Sequence, residues 1–121
     1  MNSMTARRSG PRSTIDVPCE PSLTEAPLGE PCASDLAAVF RALGDPIRLR
    51  LCSIVTSAAP DEVCACNLSI PVDRSPATVS HHMGVLRRAG LITSEKRGTL
   101  VFYRVVPSRF QELRELLDLP E

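Results

Sequence analysis

Apolar side chains recur at helical spacing in four segments of the chain. The first predicted helix, SDLAAVFRALGD, begins at a Ser34 cap, and the second, DPIRLRLCSIVTS, begins at an Asp45 cap with Pro46 in its first turn. The third, VDRSPATVSHHMGVLRRAG, begins at Ser75 and stops at Gly90, and the fourth covers PSRFQELRELLDLP. We expect these helices to bury Leu36, Val39, Phe40, Leu43, Ile47, Leu51, Ile54, Val55, Val79, Met83, Leu86, Phe110, Leu113, Leu116 and Leu117.

Two further segments complete the pattern. DEVCACNLS is predicted to start a short helix at Asp61, followed by a turn at residues 70–74. LITSEKRGTLVFYRVV indicates two strands around a turn near Arg97-Gly98. A short helix, a turn and the Ser75 helix make a helix-turn-helix, and the hairpin adds a wing. The predicted fold is therefore mainly α with a β-hairpin wing, a dimeric winged helix-turn-helix in the order helix, helix, helix, helix, hairpin, helix.

The first part of the chain shows neither helical nor strand periodicity. Five of the eleven prolines lie in its first 31 residues, with Ser, Thr and Gly between them. We interpret residues 1–33 as a flexible arm that carries Cys19 and Cys32, and residues 34–119 as one folded domain for DNA binding and dimerisation.

Size and composition narrow the class of protein. A chain of 121 residues with 43% hydrophobic and 3% aromatic residues can build one modest core, and such cores often depend on dimerisation. No apolar run is long enough to span a bilayer and the start has no apolar export segment, so we expect a cytoplasmic protein without membrane contact. Five cysteines in a reducing compartment are expected to be free, metal-bound or redox-active.

Charge is concentrated where the helix-turn-helix and the wing are predicted. Between Val72 and Val105 the chain carries six basic and two acidic residues, although its total formal charge is zero. The outer face of the Ser75 helix is small and polar and ends in arginines, which suits entry into a major groove. The predicted contacts to double-stranded operator DNA are Arg74, Ser75, Thr78, Ser80, His81, Arg87, Arg88, Lys96 and Arg97.

Three stretches, FRALGDPIRLRLCSIV, SPATVSHHMGVLRRAGLI and KRGTLVFYRV, resemble the ArsR/SmtB family of metal-sensing winged-helix repressors. The resemblance implies a homodimer, built by the first and last helices, that binds a promoter and leaves it when metal binds. The pair in EVCACNLS is similar to the cysteine box of arsenic-responsive members, which have a third cysteine where this chain has Ser69. Family symmetry implies an operator with an imperfect inverted repeat.

The two cysteines of that box determine the functional prediction. On a regular helix Cys64 and Cys66 would be about 200° apart, so binding one ion would bend the backbone. Trivalent arsenic takes three sulfurs, and the third is expected from Cys19 or Cys32 of the same or the partner chain. We therefore predict a repressor that arsenite or antimonite releases, which derepresses metalloid-resistance genes, and we assign Cys52 to the core.

Other readings of the same residues remain. Cadmium, lead or zinc could bind four sulfurs, with Cys19 and Cys32 included. A Cys64–Cys66 disulfide would close a strained ring, and adjacent His81 and His82 diverge on a helix, which disfavours a metal site there. No phosphate-binding loop or C-x-x-C motif supports an enzyme, and no organic cofactor is expected.

Overall fold

The computed structural model describes residues 22–23 and 26–120. Within them the chain forms a winged helix-turn-helix, mainly α with a β-hairpin wing, as predicted. The elements are α1 (Glu30–Leu43), α2 (Pro46–Ala58), β1 (Val63–Cys64), a 3₁₀ helix (Ala65–Asn67), α3 (Ser69–Val72), α4 (Pro76–Arg88), β2 (Ile92–Arg97), β3 (Leu100–Val105) and α5 (Pro107–Leu116). No helix in this part of the chain has both the length and the apolar character that a bilayer crossing requires.

Local capping chemistry sets most of the helix ends. Asp45 accepts the backbone N–H of Arg48 at 3.0 Å and begins α2, as predicted. Gly90 follows α4 with φ 82°, a left-handed conformation that glycine adopts without strain. The predicted Ser34 cap is wrong, because α1 begins at Glu30 after Gly29, with Pro31 in its first turn. A proline near the start loses no helical hydrogen bond, so the helix begins five residues earlier than predicted.

The core lies between the helices and one face of the sheet. Buried side chains from α2 and α4 are Leu51, Cys52, Val55, Val79, Met83 and Leu86. On α1 the buried residues are Leu36, Val39 and Ala42, and on α5 they are Leu113 and Leu116. The predicted burial of Phe40 and Leu117 is wrong for the single chain, where they are 40% and 55% exposed, because each follows a buried neighbour and points about 100° away from it.

The wing is part of a three-stranded antiparallel sheet with the strand order β1-β3-β2. β2 and β3 form the predicted hairpin, with Arg97 opposite Leu100. β1 places Cys64 opposite Phe102 and was not predicted. The prediction that a helix begins at Asp61 is wrong, because the cysteine segment first pairs with β3 and then makes one 3₁₀ turn.

The helix-turn-helix consists of α3, a three-residue turn and α4. The predicted turn at residues 70–74 lies too early, since α3 occupies part of it. Asp73 reverses the chain with φ 54° and ψ 52°, a left-handed conformation that Asp tolerates better than most residues. Val72 is buried next to this turn and anchors α3 to the core.

One arginine connects three helices. Arg109 of α5 donates to both carboxylate oxygens of Asp35 on α1, at 3.1 and 3.0 Å. Its Nε donates to the carbonyl of Ala89, just beyond the C-terminal end of α4, at 3.2 Å. Arg109 also pairs with Glu112 within α5. These contacts fix the end of α4 relative to both α1 and α5.

Candidate DNA interface and thiol site

Two hydroxyl groups fix the start of α4. The Oγ of Ser75 accepts the backbone N–H of Thr78 at 3.2 Å and donates to Thr78 Oγ1 at 3.0 Å. Pro76 occupies the first turn. Ser75 and Thr78, both predicted DNA contacts, therefore hold the helix start in shape, and a helix N-terminus is a favourable place for a phosphate.

The outer face of α4 is slim and exposed. Ser80, His81, Arg87 and Arg88 all lie on the surface. A Cβ added at Gly84 would lie 3.3 Å from Nη1 of Arg88, so the arginine side chain lies back along the helix over the glycine. Such a face can approach the base edges of a major groove closely.

His82 belongs to the packing of α4 against α2 and not to the outer face. Its Nδ1 lies 3.3 Å from Nη1 of Arg48, and because arginine can only donate, Nδ1 is the acceptor. The same arginine donates to the carbonyl of Ala42 at 2.6 Å. The backbone N–H of Arg48 also holds the pKa of Asp45 below its ordinary value.

The cations near α4 and the wing differ in what they already bind. Arg74 donates to the carbonyls of Val72 and Asp73, so it stabilises the turn before α4. Lys96 is exposed on β2. Across the described residues, no ion pair involves Arg74, Arg87, Arg88 or Lys96. These four predicted contacts keep their charge available for DNA phosphates.

Arg97, also a predicted DNA contact, is directed away from the wing turn. Its guanidinium contacts both carboxylate oxygens of Glu62, at 2.5 and 2.8 Å, and Glu95 at 2.7 Å. It also lies 4.5 Å from the ring centroid of Phe102, within cation–π range. Arg97 lowers the pKa of both carboxyl groups, and the two carboxylates raise the pKa of Arg97. Arg104 makes a longer contact to Glu62, at 3.3 Å.

The two box cysteines converge. Cys64 ends β1 and Cys66 lies in the 3₁₀ helix, so the chain turns sharply between them. The Cys66 thiol donates to the Cys64 sulfur with 2.6 Å between the two Sγ atoms, and the Cys66 backbone N–H points to the same sulfur at 3.4 Å. The helical separation of about 200° expected for this pair is therefore wrong, and no backbone bending is needed to bring the sulfurs together.

The position of the pair follows from its neighbours. Val63 and Ala65 alternate with the cysteines and pack against the core, and Leu68 just beyond is fully buried. The sulfurs are left on the outer side, with Cys64 half-buried and Cys66 exposed. The hydrogen bond to Cys64 is the main reason that the pKa of the Cys66 thiol is raised. Both cysteines are free thiols.

The remaining cysteines are placed differently. Cys52 is buried, as predicted, and burial raises its pKa, which makes it a poor thiolate donor. Cys32 lies half-buried in the first turn of α1 and is disulfide-bonded. Cys19 itself lies outside the described residues. In the part of the chain that the structure covers, no third Cys, His, Asp or Glu joins Cys64 and Cys66 in a metal-binding group.

Sequence reasoning missed three residues next to this site. Glu62 and Phe102 contact the guanidinium of Arg97. Arg104 binds the same Glu62 carboxylate. Their proximity depends on the pairing of β1 with β3, which joins residues far apart in the chain. The local signal of a strand was the alternation of Glu62 and Cys64 with the apolar Val63 and Ala65.

Comparison with known proteins identifies the family. A family profile described as a helix-turn-helix domain matches residues 43–95. An uncharacterized HTH-type transcriptional regulator of Methanocaldococcus jannaschii is 34% identical over 82 residues, which are 68% of this chain and 90% of that protein. The chain belongs to the ArsR/SmtB family of helix-turn-helix transcriptional regulators. Members of this family are DNA-binding regulators and not enzymes.

Two other similar proteins carry more specific descriptions. A cadmium resistance transcriptional regulatory protein homolog from Staphylococcus aureus is 32% identical to this ArsR/SmtB-family member. The match covers 67% of the present chain and 65% of that relative. A crystal structure of a possible transcriptional regulator for arsenical resistance matches with a TM-score of 0.60 and 33% identity. The match covers 67% of this chain and 81% of the chain in that structure.

Proposed function

We propose that this regulator represses transcription and leaves its operator when trivalent arsenic or antimony binds Cys64 and Cys66. The observation that carries the proposal is the 2.6 Å separation of two free sulfurs, one short helix before the DNA-reading helix. Two thiols so placed are near enough to bind one thiophilic atom once their sulfur atoms have moved slightly apart. DNA would be bound by α4 through Ser80, His81, Arg87 and Arg88, and by the wing through Lys96.

The raised pKa of Cys66 favours arsenic over a divalent cation. A cation must displace the thiol protons, so the raised pKa of Cys66 opposes its binding near neutral pH. Arsenous acid condenses with a protonated thiol. An As–S bond forms, an As–O bond breaks, and the thiol proton leaves within a water molecule. A raised thiol pKa therefore costs arsenic binding little.

A pyramidal three-sulfur site needs one more donor. We assign it to Cys19 or Cys32, from the same chain or from a partner chain, with Cys32 acting only after its disulfide is reduced. Cys32 lies in the first turn of α1, at the junction between the predicted arm and the domain. Binding of the third sulfur would connect the arm to the segment before α3.

The regulator is proposed to act as a cytoplasmic homodimer. Phe40 on α1 and Leu117 and Leu119 at the end of α5 are between 40% and 59% exposed in the single chain. Apolar side chains of this size on two neighbouring helices suit an interface with a second copy. A two-fold dimer would place two α4 helices on an imperfect inverted repeat in double-stranded DNA upstream of metalloid-resistance genes.

The alternative function keeps the fold and changes the inducer to cadmium, lead or zinc. The cadmium-regulator relative supports it. Soft cations of this kind usually take four ligands, so both Cys19 and Cys32 would be needed together with the box pair. Loss of one arm cysteine would then weaken the response as much as loss of both.

The test is fluorescence anisotropy of the reduced protein on labelled DNA from upstream of its own gene, titrated in parallel with arsenite and with cadmium. Release by near-stoichiometric arsenite, absent in Cys64→Ser and Cys66→Ser, would support the proposal. Cys52→Ala is the matched control, since it removes a thiol that is buried in the core. Single and double serine variants of Cys19 and Cys32 identify the third donor.

The outcomes separate the candidates. Release by cadmium alone, lost in each arm variant, would favour the four-sulfur alternative. Binding that neither ligand changes would reject an inducer role for the pair.

A further inference from the structure

One face of the wing sheet carries both the thiol site and the Arg97 ion pairs. Cys64, Phe102 and Glu95 are opposite one another on β1, β3 and β2, so their side chains share a face. Glu62 lies two residues before Cys64 and therefore points to the same face. The guanidinium of Arg97 lies over Phe102, the direct cross-strand partner of Cys64.

The two carboxylates that bind Arg97 have different positions in this sheet. Glu95 lies on β2, the strand of Arg97 itself, so their contact stays within the wing. Glu62 precedes β1, and its two oxygens bridge the cysteine-bearing segment to the wing strand across 35 residues of sequence. The side chain of Glu62 is only 21% exposed, so solvent competes weakly for it compared with the more exposed Glu95.

We propose that Glu62 is a positioning residue that couples the Cys64–Cys66 site to the wing by holding Arg97. β1 contains only two residues, and only Val63 and Cys64 pair with the hairpin as strand residues. The bidentate Glu62–Arg97 contact is the side-chain connection that would transmit a displacement of Cys64 to β2. β2 also carries Lys96, the wing cation that remains available for DNA.

Coupling of this kind is reciprocal. If occupation of the thiols by a ligand changes the affinity for DNA, DNA binding must change the affinity of the thiols for that ligand by the same factor. The biological consequence rests on the proposed function, but the coupling itself can be measured without any metalloid. DNA that holds the wing should slow the reaction of Cys64 and Cys66 with an external reagent.

The experiment measures the alkylation rates of Cys64 and Cys66 by iodoacetamide in the reduced full chain, free and DNA-bound, with mass spectrometry of the modified peptide. In the unmodified protein DNA should slow alkylation about fivefold or more. Glu62→Gln should reduce that factor below about twofold, and Glu62→Asp, which keeps the charge on a shorter side chain, should give an intermediate factor. Far-ultraviolet circular dichroism confirms that each variant is folded.

Glu95→Gln is the matched control. It removes the same charge and another partner of Arg97, but it leaves the bridge from β1 to the wing in place. Glu95→Gln should keep the full slowing of alkylation by DNA. If DNA only shielded the thiols sterically, the slowing would persist in both glutamine variants. An equal effect of DNA in the unmodified protein, Glu62→Gln and Glu95→Gln would overturn the inference, as would no effect in the unmodified protein.

An arsenite titration on operator DNA distinguishes this inference from the proposed function. Glu62→Gln should bind arsenite with unchanged stoichiometry and DNA within about threefold, while arsenite lowers its DNA affinity at least about tenfold less than in the unmodified protein. Full release in Glu62→Gln would reject the coupling role and leave the proposed function intact. Loss of the DNA effect on alkylation in Glu62→Gln, together with no release of the unmodified protein by arsenite, would support the coupling and reject arsenite as the inducer.

Discussion

The Sγ atoms of Cys64 and Cys66 lie 2.6 Å apart although one residue ends a strand and the other lies in a 3₁₀ helix. The raised pKa of Cys66 makes proton release a measure of which ligand binds. Cadmium must displace the proton of Cys66, so its binding should release protons and its affinity should rise as the pH approaches the pKa of Cys66. Arsenous acid should release none and show little pH dependence below that range.

Calorimetric titration in two buffers of different ionisation enthalpy measures this proton count. Cys66→Ser removes the thiol with the raised pKa and should abolish the proton release on cadmium addition, while Cys52→Ala, which removes a buried thiol, should leave it unchanged. Equal proton release for both ligands would contradict the condensation chemistry on which the preference for arsenic depends.

Ser75 and Ser80 separate stability from DNA contact on the same helix. Ser75→Ala removes the cap of α4 and should lower the free energy of unfolding by about 1 kcal/mol. Ser80→Ala changes an exposed outer position and should leave stability within about 0.5 kcal/mol while weakening DNA binding. Urea unfolding and anisotropy measure the two quantities. A destabilised Ser80→Ala would show that this side chain contributes to the fold.

Arg88 and Lys96, which form no ion pair within the described residues, should contribute to the salt dependence of DNA binding. Arg88→Gln and Lys96→Gln should each weaken binding and reduce the slope of log affinity against log salt by about 1. Arg114→Gln removes an exposed charge on α5 and should leave the slope unchanged. Anisotropy at several salt concentrations measures these slopes, and an unchanged slope in Lys96→Gln would remove the wing from the phosphate contacts.

How far the sequence could predict this structure depends on the range of the interactions. The caps at Asp45 and Ser75 were predictable because a side-chain oxygen reaches an N–H three residues away. The helix at Asp61 was a wrong prediction because β1 exists only through its pairing with β3. The role of Glu62 was not predictable either, since its arginine partner is 35 residues away. The exposure of Phe40 could not be read from helical spacing, which does not state which face meets the single-chain core.

Acid should weaken the contact between the cysteine segment and the wing. The pKa of Glu62 is lowered in the folded protein from its ordinary value of 4.5, chiefly by its hydrogen bonds to Arg97. A carboxyl group with a lowered pKa contributes stability above its unfolded pKa and loses it as the pH falls through the folded pKa. Glu62→Gln should therefore make the melting temperature less sensitive to pH below 4.5. Melting curves that respond to acid equally in both proteins would contradict this assignment.

Removal of Arg109 should loosen three helices together. Arg109→Gln loses the contacts to Asp35 and to the Ala89 carbonyl, and should lower the free energy of unfolding by about 1–2 kcal/mol. Asp35→Asn should cost less, because the contact to Ala89 remains and Asp35 is largely exposed. Urea unfolding of both single variants and the double variant measures the coupling. Additive effects would show that the two side chains do not act on each other in solution.

The same arginine imposes an order on biosynthesis. Asp35 is synthesised 74 residues before Arg109, and the carbonyl of Ala89 follows between them. During translation α1 and α4 are therefore synthesised before Arg109, the residue that connects them. The nascent chain can form its helices early, but the contacts of Arg109 that hold the end of α4 form only near the end of synthesis. A chain truncated before α5 would therefore lack the contacts that fix α4 in position.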